Sequence, residues 1–273
     1  MSMPDIPAAA APVWHHRSPL GRLALYAGWF ALIALFVWCW NLMTERTMWV
    51  FVYDAPTAAA DLMNRAWPPR WSYMDRLWQP LWDTINIATL GTLLGIVIAV
   101  PLAFLAASNT TPSKLILRPF ALFCIVASRS INSLIWALLL VSILGPGLLA
   151  GILAIGFRSV GFIGKLLYEA IEETDASQVE AITATGASQA QILNYGIVPQ
   201  VLPSFYGISV FRWDINIRES AILGLVGAGG IGAQLQASLN VLAWPQVTLI
   251  ILVILATVVL SEWVSARVRH AII

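Results

Sequence analysis

The chain has 273 residues, of which 59% are hydrophobic and only 11% charged, with a formal net charge of +1. Soluble domains carry about 25% charged residues. This chain lacks the polar groups to cover a globule, and its apolar residues are gathered into runs, which excludes an ordinary water-soluble domain. The near-neutral charge offers nothing to nucleic acid.

In chain order, residues 1–22 form a tail with His15, His16, Arg17 and Arg22. A bilayer core is crossed by about 20 apolar residues in a helix, and Leu23–Met43 is the first such run. It is long for a signal peptide and has no small-residue cleavage site, so it is expected to remain as a span. Residues 44–82 form a loop with Trp49, Trp67, Trp71, Trp78 and Trp82. The pairs Trp67/Trp71 and Trp78/Trp82 suit one side of short helical pieces, while Pro68, Pro69 and Pro80 forbid one continuous helix. Such a loop serves either as an aromatic belt at the membrane surface or as a docking surface for an external partner.

Further spans are expected at Asp83–Ala107, at Arg118–Leu144 with an interruption at Ser128-Arg129-Ser130, and at Leu148–Ala170 with an interruption at Arg158. Two more follow at Pro199–Val226, which carries Arg212, Asp214, Arg218 and Glu219, and at Gln246–Ala266. The expectation is an all-α integral membrane protein with six spans and a core at 83–270. Cys39 and Cys124 lie within apolar runs and read as small buried residues, not as a disulfide or metal site. Arg17, Arg22, Lys114, Arg118, Lys165, Arg267 and Arg269 fall on one side of a six-span arrangement, whereas Gly145–Gly147 and Gly227–Pro245 contain no Lys or Arg. The positive-inside rule then places both termini in the cytoplasm. The first loop departs from this with Arg46, Arg65, Arg70 and Arg76, offset by Glu45, Asp54, Asp61 and Asp75.

Tyr168–Val198 is the substantial polar stretch of the second half. Ser177 with Glu180 has capping-box spacing, Gly186 permits a tight turn, Ala187–Leu193 is expected as a second short helix, and Pro199 ends the loop. A helix–Gly–helix knob of this kind suits a groove in another protein.

Glu180-Ala181, Gly186 and Pro199, at these spacings, resemble the EAA loop of binding-protein-dependent ABC importer permeases, with Ile182 where that family usually has a second Ala. The similarity extends across Asp83–His270. Four stretches resemble the phosphonate and phosphite branch: SRSINSLIWAL (Ser128–Leu138), SVGFIGKLLYEAIE (Ser159–Glu172), VPQVLPSF (Val198–Phe205) and RWDINIRESAILGLVGAGGIG (Arg212–Gly232). The resemblance implies the small type I permease fold, with both termini inside, in a multi-pass protein of a bacterial inner membrane. It implies a homodimer, a pair of cytoplasmic ATPases that hold ATP and Mg, and a periplasmic substrate-binding protein. The loop at about 171–198 would transmit ATPase motion through Glu180, Ala181, Gly186 and Pro199. No Walker sequence occurs in the chain, so the expectation is a transport subunit with no bound cofactor, metal or catalytic site of its own.

Gly227–Gly232 (GAGGIG) satisfies the dinucleotide pattern G-x-G-x-x-G, but it follows a membrane segment and no acid occurs until Glu262. The pattern binds phosphate between a strand and a helix with an acid about 20 residues on. Here Gly227, Gly229, Gly230 and Gly232 are read as close-packing or gate glycines.

The chemistry lies in the intramembrane charges. An Arg at a helix centre costs about 2.5–3.5 kcal/mol on insertion scales. Arg129, Arg158, Arg212 and Arg218, all deep and unpaired, would cost on the order of 10–14 kcal/mol on that scale, comparable to a domain's whole stability. Asp214 and Arg218 are spaced as a helical ion pair, and Arg212 and Glu219 return to one face with Asn216 between them. Arg129 and Arg158 have no acid nearby in sequence and are flanked by small or polar residues, Ser128, Ser130, Asn132 and Ser133 around the first and Gly156, Ser159 and Gly161 around the second. These two are the arginines expected to face a pathway, with snorkelling to headgroups as the alternative. Guanidinium groups match phosphorus oxyanions, so the cargo is expected to be phosphite or phosphonate. Arg158 and Glu219 depart from the phosphonate pattern and favour phosphite. The alternatives are a permease for another solute, such as methionine or an organic cation; a proton-coupled transporter using Asp214 or Glu219; and a membrane enzyme, for which no intramembrane His is present.

Overall fold

The computed structural model describes residues 19–272. His15, His16, Arg17 and most of the expected 1–22 tail lie outside the described residues. The chain divides into two units, 1–60 and 61–273.

The first unit holds α1 (Pro19–Arg46) and most of α2 (Trp49–Ala66). α1 is apolar all round and none of its residues is buried, as suits a helix solvated by lipid. α2 corrects the expectation of a loop at 44–82. It is an 18-residue helix with Pro56 inside it, and a 3₁₀ turn follows at Trp71–Arg76. Pro68 and Pro69 stand in the break between the two, as expected. Trp67 lies in that same break, so Trp67 and Trp71 do not share a helix face. Pro80 does not interrupt the chain, because it sits in the first turn of α3, where its missing N–H would have no helical partner.

The second unit is built on α3 (Trp78–Ala106) packed along α6 (Leu148–Glu172). Small residues let the backbones approach. A Cβ on Gly91 would come within 2.6 Å of Ile155, one on Gly95 within 2.5 Å of Ser159, and one on Gly156 within 2.6 Å of Leu94. α9 (Val198–Leu223) packs on both helices, and α11 (Trp244–Ile272) packs on α9. Ile87, Ala154, Ile155, Leu223 and Ala228 form one buried cluster.

Among the described residues, Pro19–Arg46, Trp78–Ala106, Leu148–Glu172 and Trp244–Ala271 are each long and apolar enough to cross a membrane. The expected third span is bent rather than straight. α4 (Leu117–Ser130) and α5 (Ser133–Leu144) meet at 88°. At 1.5 Å per residue neither arm, at about 21 and 18 Å, reaches across a core of about 30 Å. The bend has a local cause. Ile131 and Asn132 are extended, and the Asn132 side chain accepts the Leu134 N–H at 3.0 Å, capping α5. The expected fifth span is also longer than a simple crossing. The helix through α9 is followed by α10 (Ile231–Asn240) at 40°, so 227–245 is not a plain loop. With each bent pair counted once, the described residues hold up to six spans.

Candidate functional site

The intramembrane charges separate into three places. The first is at α6 and α9. Arg212 has a side chain only 2% exposed. Its Nε donates to Ser159 Oγ at 3.0 Å, its guanidinium lies 5.2 Å from the Phe162 ring, and its Nη2 reaches Glu219 Oε2 at 3.4 Å. The other carboxylate oxygen, Oε1, lies 3.4 Å from Arg158 Nε. Arg158, expected to lack a partner, is therefore paired. The acid lies 61 positions away in sequence and is brought across by the packing of α9 on α6. Asn216 joins the same network, donating to Ser159 Oγ at 3.0 Å and to Thr92 Oγ1 of α3 at 2.7 Å. Its Oδ1 is buried without a partner among the described residues. Such a network is worth most where water is excluded, and costs most where it is incomplete.

The second place is on the opposite side of α9. Asp214, as its spacing predicts, pairs with Arg218 one turn later, and it also accepts Ser261 Oγ of α11 at 2.7 Å. This pair ties α9 to α11 and does not touch the first cluster.

The third is the α4–α5 elbow. Ser128 Oγ donates to the Phe157 carbonyl and accepts the Gly161 N–H at 2.8 Å, fixing the elbow to α6. Arg129 follows directly, its Cγ so close to Gly161 that a Cβ there would come within 2.6 Å of it. Arg129 has no ion pair among the described residues. It is exposed and lines an open hollow of about 350 Å³ with Val126 and Ser130. Asn132 is occupied as a cap, and Ser130 donates back to Val126 O within its own helix.

The glycines act through backbone geometry. Gly227, Gly229 and Gly230 have φ of +91°, +82° and +73°, values that carry little cost only without a Cβ. A Cβ on Gly232 would lie 2.0 Å from the Ala221 carbonyl oxygen. The segment follows a 3₁₀ turn at Gly224–Val226 rather than a strand. The Ile231 N–H, which a phosphate would need, is taken by Thr84 Oγ1 at 2.8 Å.

The polar loop has a different internal order from the one expected. Asp175, not Ser177, caps α7 (Ala176–Ala184). Its Oδ1 accepts both the Ser177 hydroxyl and N–H, and these bonds hold its carboxyl below the usual carboxylate range. A lowered pKa means the cap is intact at neutral pH and is lost as pH falls through that lowered value. Glu180 is thereby free of a capping role, and it and Ala181 are exposed on α7. Gly186 makes the tight turn with φ +79°. Beyond it, Ser188 and Gln191 form the capping box that opens α8 (Gln189–Gln191). The helix does not stop at Leu193. It runs through a π-helical turn at Ile192–Ile197 into α9. Pro199 lies in the first turn of α9, beside that wide winding, which accommodates its missing N–H. The base of the loop is tied down. Glu172 pairs with Arg118 at 3.1 Å and accepts the Ser108 N–H at 2.7 Å, and Gln200 accepts the Asp175 N–H at 2.9 Å. The base of α7 is thereby tied to α4, α6 and α9, and α7 packs against the π-helical turn that leads into α9.

Thr92 and Phe162 are site residues that charge counting passes over, and Ser159, expected only as a small flank of Arg158, accepts from both Arg212 and Asn216. Thr92 is the last of several polar residues in the first half of α3, after Thr84, Asn86 and Thr89, and nothing in the sequence singles it out.

Residues 91–272 match the profile of the family described as "Binding-protein-dependent transport system inner membrane component". The chain is 37% identical over 250 residues to the phosphite transport system permease protein PtxC of Stutzerimonas stutzeri, covering 92% of this chain and 88% of that one. It is 40% identical over 228 residues to the phosphate-import permease protein PhnE of Mycolicibacterium smegmatis, covering 80% of this chain but 42% of that longer protein. In fold it is similar to a chain of the inward-facing MetNI methionine ABC transporter, with a TM-score of 0.65 at 22% identity over 75% of this chain and 99% of the other.

Proposed function

We propose that this chain, which belongs to the family of binding-protein-dependent transport system inner membrane components, forms the membrane path of an ATP-driven importer for phosphite. Two copies would enclose the path in a bacterial inner membrane with both termini cytoplasmic. A separate pair of ATPases would hold ATP and Mg and receive α7, and a periplasmic protein would deliver the anion. The chain itself would bind no cofactor and carry out no covalent step.

The observation that carries the substrate class is the excess of guanidinium over carboxylate around α6. Arg158 and Arg212 share one acid, Glu219, and Arg129 has none among the described residues. An excess of fixed positive charge beside the helices draws an oxyanion, and guanidinium donors match its geometry. The similarity to the phosphite permease supports the same class. The relative named for phosphate import supports phosphate as the second reading.

α7 would act as the lever. Clamped at Glu172, Asp175 and Gln200, it would pass ATPase closure to α6 and α9, the two helices that carry the arginine cluster. The test is uptake into liposomes containing the permease, its ATPase and its binding protein, with phosphite, hypophosphite, methylphosphonate and phosphate as competing anions. ATP-dependent uptake preferring phosphite is expected. Uptake that persists without ATP or the binding protein would refute the reading.

A further inference from the structure

Among the described residues, Glu219 is the one acid in contact with two arginines, and the two contacts are not equivalent. Arg212 is sealed in, its side chain 2% exposed and held by Ser159 and Phe162. Arg158 is 30% exposed and makes no other ion pair among the described residues. Each arginine takes a different oxygen of the carboxylate through a single nitrogen at 3.4 Å. Charge-assisted N–H···O bonds are usually about 2.7–2.9 Å and often bidentate for Arg. The carboxylate thus bridges both guanidinium groups loosely and fills neither fork.

We propose that Glu219 is an exchangeable internal counter-ion. It neutralises Arg158 when the path is empty, and it yields Arg158 to a passing phosphorus oxyanion while remaining with Arg212. The inference rests on the anion-import reading and adds the device that keeps binding transient. The oxyanion must displace a carboxylate, so its affinity stays low enough for release. Because Glu219 never leaves Arg212, the exchange strands no uncompensated buried charge. Phosphite or phosphate would both be handled this way.

The experiment uses the reconstituted permease–ATPase complex with radiolabelled phosphite, measuring retention without ATP and uptake with ATP and binding protein. Glu219→Gln leaves Arg158 without its competitor. Phosphite retention should become at least tenfold tighter, and uptake at saturating phosphite at least tenfold slower, through delayed release. Adding Arg158→Gln to Glu219→Gln should abolish the tight retention. Where Glu219→Gln is not recovered folded, Glu219→Asp, which withdraws the carboxylate by one methylene, should shift both readouts the same way by a smaller factor. Unchanged retention in the Gln and Asp variants overturns the proposal. So does restored uptake in the reversed pair Arg158→Glu/Glu219→Arg, which would make pairing alone the requirement. Failure of the unaltered complex to import phosphite with ATP instead overturns the import reading, and this inference with it.

Discussion

At the scale of single residues, the four intramembrane arginines carry different burdens. Arg218 is matched by Asp214, and Arg158 and Arg212 share Glu219, which leaves Arg129 as the cation whose charge is available at an open hollow. Arg129→Gln should therefore lower anion uptake at least tenfold with little change in the amount of folded protein. Normal uptake in liposomes at equal protein would remove Arg129 from the path. Arg158 and Arg212 should differ in stability rather than in kind. Arg158→Gln leaves Glu219 with Arg212, so thermal unfolding in detergent should barely move. Arg212→Gln removes a sealed guanidinium and leaves Ser159 and Glu219 poorly matched inside the protein, and truncating one partner of a buried pair costs about 3–5 kcal/mol. Equal melting temperatures for the two variants would contradict this ranking. The sequence alone suggests the Arg212–Glu219 pair, because a seven-residue interval returns to one helix face. It is silent on Arg158–Glu219, because that contact depends on how two helices pack.

At the scale of elements, local chemistry was readable where it stays within one helix turn and misleading where tertiary geometry competes. Gly186 was readable as a turn because a positive φ favours glycine. The capping assignment was not, since Asp175 and Ser177 are both good caps and the choice of Asp175 goes with the Gln200 contact to its N–H. The elbow was foreseen as an interruption at Ser128–Ser130, yet nothing in hydropathy distinguishes a polar interruption from an 88° bend. Two predictions belong here. Replacing Asp175 by Ala removes the α7 cap, and replacing Glu180 by Ala removes an exposed acid from the helix proposed to meet the ATPase. Both should leave ATP hydrolysis running while uptake falls several-fold, measured as the ratio of phosphite imported to ATP consumed. An unaltered ratio would sink the lever role of α7. Gly232→Ala tests the packing of α10 on α9. Its Cβ would meet the Ala221 carbonyl at 2.0 Å, so overpacking should cost about 1–3 kcal/mol and lower the unfolding temperature in detergent.

At the scale of the whole molecule, the number of crossings and their direction must agree with the distribution of charge. Counted as two bent spans plus four straight ones, the described residues preserve the six-span count that hydropathy suggests. An even count puts both ends of the chain on one face. With six spans, the positive-inside rule would place that face in the cytoplasm, because Lys114, Arg118, Lys165, Arg267 and Arg269 would share it and 227–245 has no Lys or Arg. The rule has a competitor in Arg46, Arg65, Arg70 and Arg76 of 44–82, of which α2 takes up only Arg65, paired with Asp61 one turn earlier. If either bent pair were re-entrant rather than spanning, the parity would change and the termini would fall on opposite faces. Thiol accessibility separates the two cases. With Cys39 and Cys124 replaced by Ser, a single cysteine at exposed Ala184 on α7 should react with a membrane-impermeant maleimide only after the cytoplasmic face is opened. A single cysteine at exposed Gln236 on α10 should react from outside in intact cells or right-side-out vesicles. Labelling of both positions from one face would mean that α10 returns to the side it left. The glycine-bounded turn at 227–230 would then be the tip of a re-entrant segment rather than the outer end of a span, and α7 and α10 would share one aqueous compartment.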